Sequence, residues 1–302
     1  MTHPEHLAAG PAGLTVVGCG YTGRRLLQLC GQPARDCAGT ARSDDSLAQI
    51  RALGGHALRL DLDLPAPRLP AKYCAGRGLV YMAPPPQAGA TDPRLRNFLA
   101  ALPAAPATLV YLSTTAVYGD TGGAEVTEDT PPAPASERGQ RRLDAEHAAL
   151  HWGDATGVAV RILRVPGIYG PGRLPIERIR KGAPVVQAGD AGPGNRIHVD
   201  DLAGACLAAV DYPGEERIFN VGDGDHASMT AYFRAVADAA GLAPPPEVPL
   251  QELLTQVSPA MRGFLVESRR VDTTRMRTEL GFVPRYASLA AGIAASLADD
   301  RI

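Results

Sequence analysis

At 302 residues the chain has the length of two average domains, or of one large α/β unit carrying an appendage. Its 45% hydrophobic and 21% charged residues are an ordinary globular mixture, which excludes the disordered and fibrous classes. Thirty Lys and Arg against 32 Asp and Glu leave a net charge of −2. Nucleic acid and anionic membranes therefore find no basic surplus, and no apolar run reaches the ~18 residues of a spanning helix.

The N-terminal MTHPEHLAAGPAG has neither the basic start nor the apolar core of a secretory signal. Cys19, Cys30, Cys37, Cys74 and Cys206 are scattered without a CxxC pair. Together these features predict buried thiols in a reducing cytoplasm and no metal site. Residues 14–17 read as a short apolar strand that runs straight into a glycine-rich turn and then a helix. Further apolar strands are expected at 57–62, 79–82, 108–112 and 158–165, with helical patterns between them at 46–53, 93–101 and 140–152. Nearly all-apolar strands alternating with helices predict a doubly wound parallel sheet, an α/β Rossmann fold with ligands at the strands' carboxyl ends. Proline clusters at 65–70, 84–86, 131–134 and 244–249 mark loops. The second half is less regular, with a strand at 218–221 and helices at 231–240 and 288–297. The expected division is a dinucleotide-binding domain over 1–170, to which 197–222 return. A smaller substrate lobe is expected from 171–196 and 223–302.

The turn reads Gly18-Cys19-Gly20-Tyr21-Thr22-Gly23. A GxGxxG run between a first strand and a helix suits a dinucleotide. The first glycine makes the turn, the second admits the pyrophosphate, the third packs helix on strand, and the helix N-terminus faces the phosphates. An NAD-specific unit ends its second strand in a carboxylate that accepts from the ribose 2′-hydroxyl. Here the strand at 37–40 runs into Ala41-Arg42-Ser43, donors suited to a 2′-phosphate, so NADP is the expected cofactor. Asp44 and Asp45 follow at once, and a shift of two residues in the strand end would restore NAD.

Several further segments, in order, resemble the extended short-chain dehydrogenase/reductase superfamily, in its NAD(P)-dependent epimerase/dehydratase group. Leu112-Ser113-Thr114-Thr115-Ala116-Val117-Tyr118-Gly119 is similar to its SSxxVYG strand end. The run from Leu163 to Gly172 resembles LRxxxxYGPG, Ile197-His198-Val199-Asp200-Asp201 resembles hVdD, Phe219-Asn220-Val221-Gly222 resembles yNvG, and Leu280-Gly281-Phe282-Val283-Pro284 resembles LGfxP. The resemblance implies that Thr114 is the catalytic hydroxyl, that Asp61 contacts adenine and that Ala83 lies beneath the adenosine ribose. Tyr21, Thr22, Leu62, Met82, Ser113 and Val165 complete the implied cofactor set.

The family's proton-transfer helix carries YxxxK, with Tyr and Lys on one face at i,i+4. Here the stretch reads Arg138-Gly139-Gln140-Arg141-Arg142, which places Arg142 on the Lys and Arg138 on the Tyr. Arg142 can still hold the nicotinamide ribose. A guanidinium cannot replace the phenol as acid or base, because it does not deprotonate in proteins. This resembles the atypical subset of the superfamily that has lost the tyrosine. Tyr118, Tyr169 and His198 are then the candidate substitutes, with Tyr118 placed beside Thr114 as catalytic. Tyr169, Arg173, Arg196 and His198 are the candidate substrate contacts. His147 and His151 have a metal-capable spacing but no HExxH, and read as surface residues. The expected activity is an NAD(P)-dependent oxidoreductase or epimerase-like enzyme acting on a small carbonyl, carbinol or sugar-type substrate. A non-catalytic NADP-binding sensor is the alternative, and a homodimer is the assembly to test.

Overall fold

The computed structural model describes residues 11, 13–30 and 35–299, so most of the N-terminal stretch read for a signal lies outside the described residues. Gly13–Val17 forms β1, buried along its whole length as a central strand of a covered sheet must be. In chain order there follow α1 (Tyr21–Cys30), β2 (Asp36–Ala41), α2 (Asp44–Ala52), β3 (His56–Arg59), β4 (Gly78–Tyr81), α3 (Pro93–Ala100), β5 (Thr108–Thr114), β6 (Glu125–Val126), α4 (Glu137–Thr156), β7 (Ala159–Val165) and β8 (Gly167–Tyr169). The remainder holds α5 (Ile176–Arg180), β9 (Val185–Val186), β10 (Arg196–His198), α6 (Val199–Asp211), β11 (Ile218–Asn220), α7 (Met229–Ala239), β12 (Glu247–Val248), α8 (Leu250–Gln256), α9 (Pro259–Val266), β13 (Arg270–Val271), α10 (Thr274–Thr278) and α11 (Leu289–Asp299).

Seven strands form one parallel sheet in the order β11-β7-β5-β4-β1-β2-β3. The order reverses between β1 and β4, so the ligand crevice of such a sheet opens at their carboxyl ends. Leu26, Leu27 and Leu202, from α1 and α6, cover one face of the sheet. Phe98, Ala145 and Ala149, from α3 and α4, cover the other. A separate cluster of Tyr169, Ile179, Tyr232, Phe233, Val236 and Ile293 forms the core of the smaller lobe. Met276 and Leu280, expected in that lobe, instead pack into the sheet's own core, because α10 lies against the edge strand β11. The proline-rich 243–250 loop contains the two-residue β12, paired with β9.

α4 runs beyond the expected 140–152 at both ends for visible reasons. Ser136 caps it by accepting from the Gly139 N–H, and Gly157 closes it in the left-handed conformation at φ 74°. Its middle carries Glu146, 1% exposed, which meets Arg164 of β7, 2% exposed. Arg164 Nη2 donates to Glu146 Oε2 at 2.8 Å, and Nε lies 3.2 and 3.3 Å from the two carboxylate oxygens. Ser113 donates to Oε1 of the same carboxylate. Arg164 Nη1 donates to the Tyr118 phenol at 3.0 Å, and the phenol donates to Asn220 Oδ1 at 2.7 Å. One buried ion pair thus ties α4 to β5, β7 and β11. Removing one partner of such a pair strands the other charge, so Glu146→Ala is expected to cost about 3–5 kcal/mol. Chemical denaturation measures it; a loss below about 1 kcal/mol, the surface ion-pair range, would contradict this account.

Candidate functional site

The glycine turn is shaped by three different constraints. Gly18 sits at φ +79°, and a Cβ there would lie 2.7 Å from the Ala83 backbone, so the ends of β1 and β4 nearly touch. A Cβ on Gly20 would meet nothing within 4 Å, whereas one on Gly23 would press on Val16 at 3.0 Å and Cys19 at 3.1 Å. Gly20 therefore faces open space, and Gly23 seats α1 on the sheet. The Gly18 N–H donates to Thr40 Oγ1 at 3.0 Å and the Cys19 N–H to the Thr40 carbonyl at 2.8 Å, which fixes the turn to β2. Thr22 is buried in α1. Tyr21 donates to the Pro171 carbonyl at 2.8 Å, linking the turn to the segment after β8.

β2 ends at Ala41, so Arg42 occupies the position where an NAD-type carboxylate would stand. Asp44 and Asp45 belong to the first turn of α2, with Asp44 paired to Arg59, and Ser43 caps that helix by accepting from the Ser46 N–H at 3.3 Å. Arg42 is exposed and lies 3.1 Å from Asp63, a carboxylate also gripped by Arg94 at 2.6 Å. Those guanidinium contacts, Arg94's above all, hold the Asp63 carboxyl below the usual carboxylate range. Asp61 accepts from the Asp63 N–H at 3.0 Å, Leu62 and Met82 are half-buried, and Ala83 is buried against Gly18. An open Gly20, a helix N-terminus behind it and the exposed Arg42 guanidinium after β2 fit a dinucleotide.

Beyond β5 lies a cleft of about 410 Å³ lined by Thr114, Arg138, Arg173, Arg178, Arg196 and Glu267 among others. Thr114 and Val165 end their strands side by side in register. Arg196 is 9% exposed and donates to the Ala227 and Ser228 carbonyls at 2.6 and 3.2 Å. Burial pushes its pKa down. Arg173 stacks over the Tyr21 ring at 4.0 Å and Arg196 over Tyr232 at 4.6 Å. Of the sequence candidates, Thr114, Arg173 and Arg196 meet in this cleft.

Four others do not. The phenol of Tyr118 is 2% exposed and locked between Arg164 and Asn220, so it does not reach the cleft as a proton donor. Ser113 turns its hydroxyl to Glu146 rather than to a cofactor. Tyr169 and His198 are register partners of β8 and β10, 5.3 Å apart edge to face, and both are buried. The Tyr169 ring packs into the lobe core. His198 caps α6 by accepting from the Asp200 N–H at 3.2 Å, and burial lowers its pKa, so it is a neutral structural imidazole. Arg142 Nη1 donates to the Leu112 carbonyl at 2.6 Å and to the Tyr111 phenol at 3.2 Å, at the end of the strand that carries Thr114.

Sequence reading missed Glu267. Among the described cleft residues it is the one carboxylate, and none is Tyr, His, Cys or Lys. Arg269 pairs with Glu267 through Nη2 and donates through Nη1 to the Thr115 carbonyl at 3.0 Å. A single guanidinium therefore places this acid beside the turn that follows Thr114. No motif signalled it, because the link from Arg269 to Thr115 spans 154 residues of chain and exists only in the fold. His147 and His151 lie in a separate depression between α3 and α4 with Arg96 and Trp152. Among the described residues no group of three His, Cys, Asp or Glu could hold a metal ion, and no helix is long and apolar enough to cross a membrane.

Fold and loop define a Rossmann-type α/β protein with an added lobe. The sequence pattern of the NAD dependent epimerase/dehydratase family matches residues 95–222. Protein YeeZ of Escherichia coli (strain K12) is 30% identical over 181 residues, covering 59% of this chain and 58% of that protein. The chain therefore matches little more than half the length of this curated relative. A solved structure of a functionally unknown conserved protein from Silicibacter pomeroyi DSS is 30% identical. It superposes with a TM-score of 0.81 over 96% of this chain and 100% of its own. UDP-glucuronic acid 4-epimerase from Bacillus cereus, solved in complex with NAD, has a TM-score of 0.75 over 95% of this chain and 96% of its own. At 18% identity it shows the fold alone. Residues 95–222 thus place the middle of the chain in the NAD dependent epimerase/dehydratase family.

Two measurements probe this geometry. Gly20→Val, which meets open space, is expected to keep the wild-type melting temperature. It is expected to weaken binding of the nicotinamide dinucleotide by at least about tenfold, since a side chain there would block the pyrophosphate's approach. Equal affinity by calorimetry would remove Gly20 from the cofactor site. Asp223, 2% exposed and adjacent to Arg196, has its carboxyl pushed up by burial to about 7. The folded state then holds a proton that the unfolded state releases near its ordinary value of 3.8. Wild-type stability should fall as pH rises through that window, by roughly 2–4 kcal/mol. Asp223→Asn should flatten this slope, giving the more stable protein near pH 8 and no advantage near pH 4. Parallel slopes in denaturant titrations would refute the assignment.

Proposed function

We propose that this protein is an NAD(P)-dependent oxidoreductase of epimerase-like type, acting on a small carbinol, carbonyl or sugar-type compound that carries negative charge. The observation that carries the proposal is that Thr114, at the carboxyl end of β5, opens into the same cleft as the buried Arg196. Gly20 and the α1 N-terminus bind the pyrophosphate. Arg42 and Ser43, with no acid at the end of β2, favour a 2′-phosphate and hence NADP, and Asp63 yields Arg42 to it. Arg142 reaches the nicotinamide ribose from the end of β5. A bound nicotinamide dinucleotide supplies the hydride acceptor or donor at its ring. Thr114 orients the reacting oxygen by a hydrogen bond. Glu267, held in place by Arg269, would take the proton of a carbinol hydroxyl during oxidation and return it to the oxygen during carbonyl reduction. Five buried thiols suit a reducing cytoplasm as the working compartment.

The absence of a tyrosine from α4 favours one competing reading, a dinucleotide sensor without turnover. The experiment follows nicotinamide absorbance with NADP and NAD against nucleotide sugars, sugar phosphates and hydroxy acids, with both cofactors titrated in parallel. One substrate class is expected to turn over. Thr114→Val and Glu267→Gln should each lower kcat by about 10²-fold or more, with NADPH affinity within about twofold of wild type. Arg42→Ala should weaken NADPH by roughly one to two orders of magnitude and leave NADH unchanged. Tight NADPH binding without turnover on any class would establish the sensor, and equal losses for both cofactors would sink the NADP assignment.

A further inference from the structure

The cleft lining holds two chemically different sets of side chains. One is Arg173, Arg178 and Arg196, and among the described residues none of the three is ion-paired with a carboxylate. Arg196 is the informative member, because it is a buried cation that donates to two neutral acceptors, the Ala227 and Ser228 carbonyls. The nearby Asp223 is a weak counter-charge, since burial keeps its carboxyl largely protonated up to about pH 7. A buried guanidinium without a full partner is costly unless an anion arrives to complete it.

The second set is apolar. Leu253 of α8, then Val257, then Met261 and Leu265 of α9 face the cleft, continuous with Val185 and Val186 of β9. α8 packs on β9, and Leu253 is buried, so this set is part of the lobe's framework rather than a stray patch. The hydroxyls and ring oxygens of a sugar nucleotide would lie against these side chains without hydrogen-bond partners, at a cost in affinity. An aliphatic or other apolar body would be desolvated there with gain.

The geometry points to an amphiphilic anion as the ligand of this cleft: an apolar body bearing a phosphate or carboxylate. The head group lies on Arg173, Arg178 and Arg196, and the body lies along α8–α9. This rests on the function proposed above, since it names the substrate class of the same cleft. A polar sugar nucleotide is disfavoured by the apolar set.

The test is calorimetry on the full chain saturated with NADPH, using octyl phosphate below its micelle concentration, octanoate, inorganic phosphate, octan-1-ol and UDP-glucose. Octyl phosphate is expected to bind at least about tenfold tighter than inorganic phosphate, octan-1-ol or UDP-glucose, and octanoate against octyl phosphate tells which head group is preferred. Met261→Asn should abolish the advantage of the octyl chain and leave inorganic phosphate unchanged. Arg178→Gln should weaken octyl phosphate and inorganic phosphate together. The inference is overturned if the octyl chain adds nothing, if UDP-glucose binds more tightly, if octan-1-ol binds as well as octyl phosphate, or if no probe binds. NADPH affinity, measured in the same samples, separates the two proposals. Intact NADPH binding with failed probes defeats the amphiphile alone, whereas lost NADPH binding defeats the functional reading.

Discussion

The bidentate contact between Glu146 and Arg164 is the constraint around which the carboxyl end of the sheet is arranged. Both groups are almost completely buried, so each is tolerable only because the other is present and the remaining polar atoms are satisfied. Ser113 and Tyr118 supply those satisfactions, and Asn220 extends the network to β11. The consequence for chemistry is direct. Fixing Ser113 and Tyr118 on the buried side of the turn after β5 leaves Thr114, the residue between them in the chain, to open on the cleft. Alternation along a strand does the rest, since neighbours point to opposite faces.

The same buried network accounts for a phenol that is near the site in sequence yet absent from it in space. Tyr118 both accepts from Arg164 and donates to Asn220, which uses its capacity for strong hydrogen bonds. Burial raises its pKa, which makes the tyrosinate harder to reach. The cleft is instead supplied from the far end of the chain, where Arg269 joins Glu267 to the Thr115 carbonyl and donates to the Gly119 carbonyl at 2.8 Å. β13 and β6 pair just beside this contact, so a two-residue strand is enough to bring residues 267–270 against the β5 turn.

The arginines of the cleft also come from separate segments. Arg173 follows β8, Arg178 lies on α5 and Arg196 opens β10, while α8 and α9 contribute apolar residues. β8 and β10 pair in parallel, which sets Arg196 opposite Gly167 in the ladder. The positive charge is therefore concentrated by topology in a protein whose overall charge is close to neutral. Composition could exclude a general basic surface, but it carried no information about a local one.

The sequence by itself determined the alternation of strands and helices, hence the parallel sheet, and the glycine turn with its three distinct roles. These are local matters: apolar periodicity, φ freedom and helix capping act over a few residues and can be read in a window of that size. It also placed Arg42 after β2, where the helix start at Asp44 settles the register. Tertiary structure alone decided which polar side chains face the cleft. Tyr118, Tyr169 and His198 looked like chemistry because of their residue types, and packing turned each into a buried support. Glu267 looked like nothing, and the Arg269–Thr115 contact, across 154 residues, put it beside the turn after β5. The physical reason is that a hydrogen bond or ion pair between distant segments depends on how strands register and helices dock. Residue type states what a side chain can do, and only the fold states what it is left free to do.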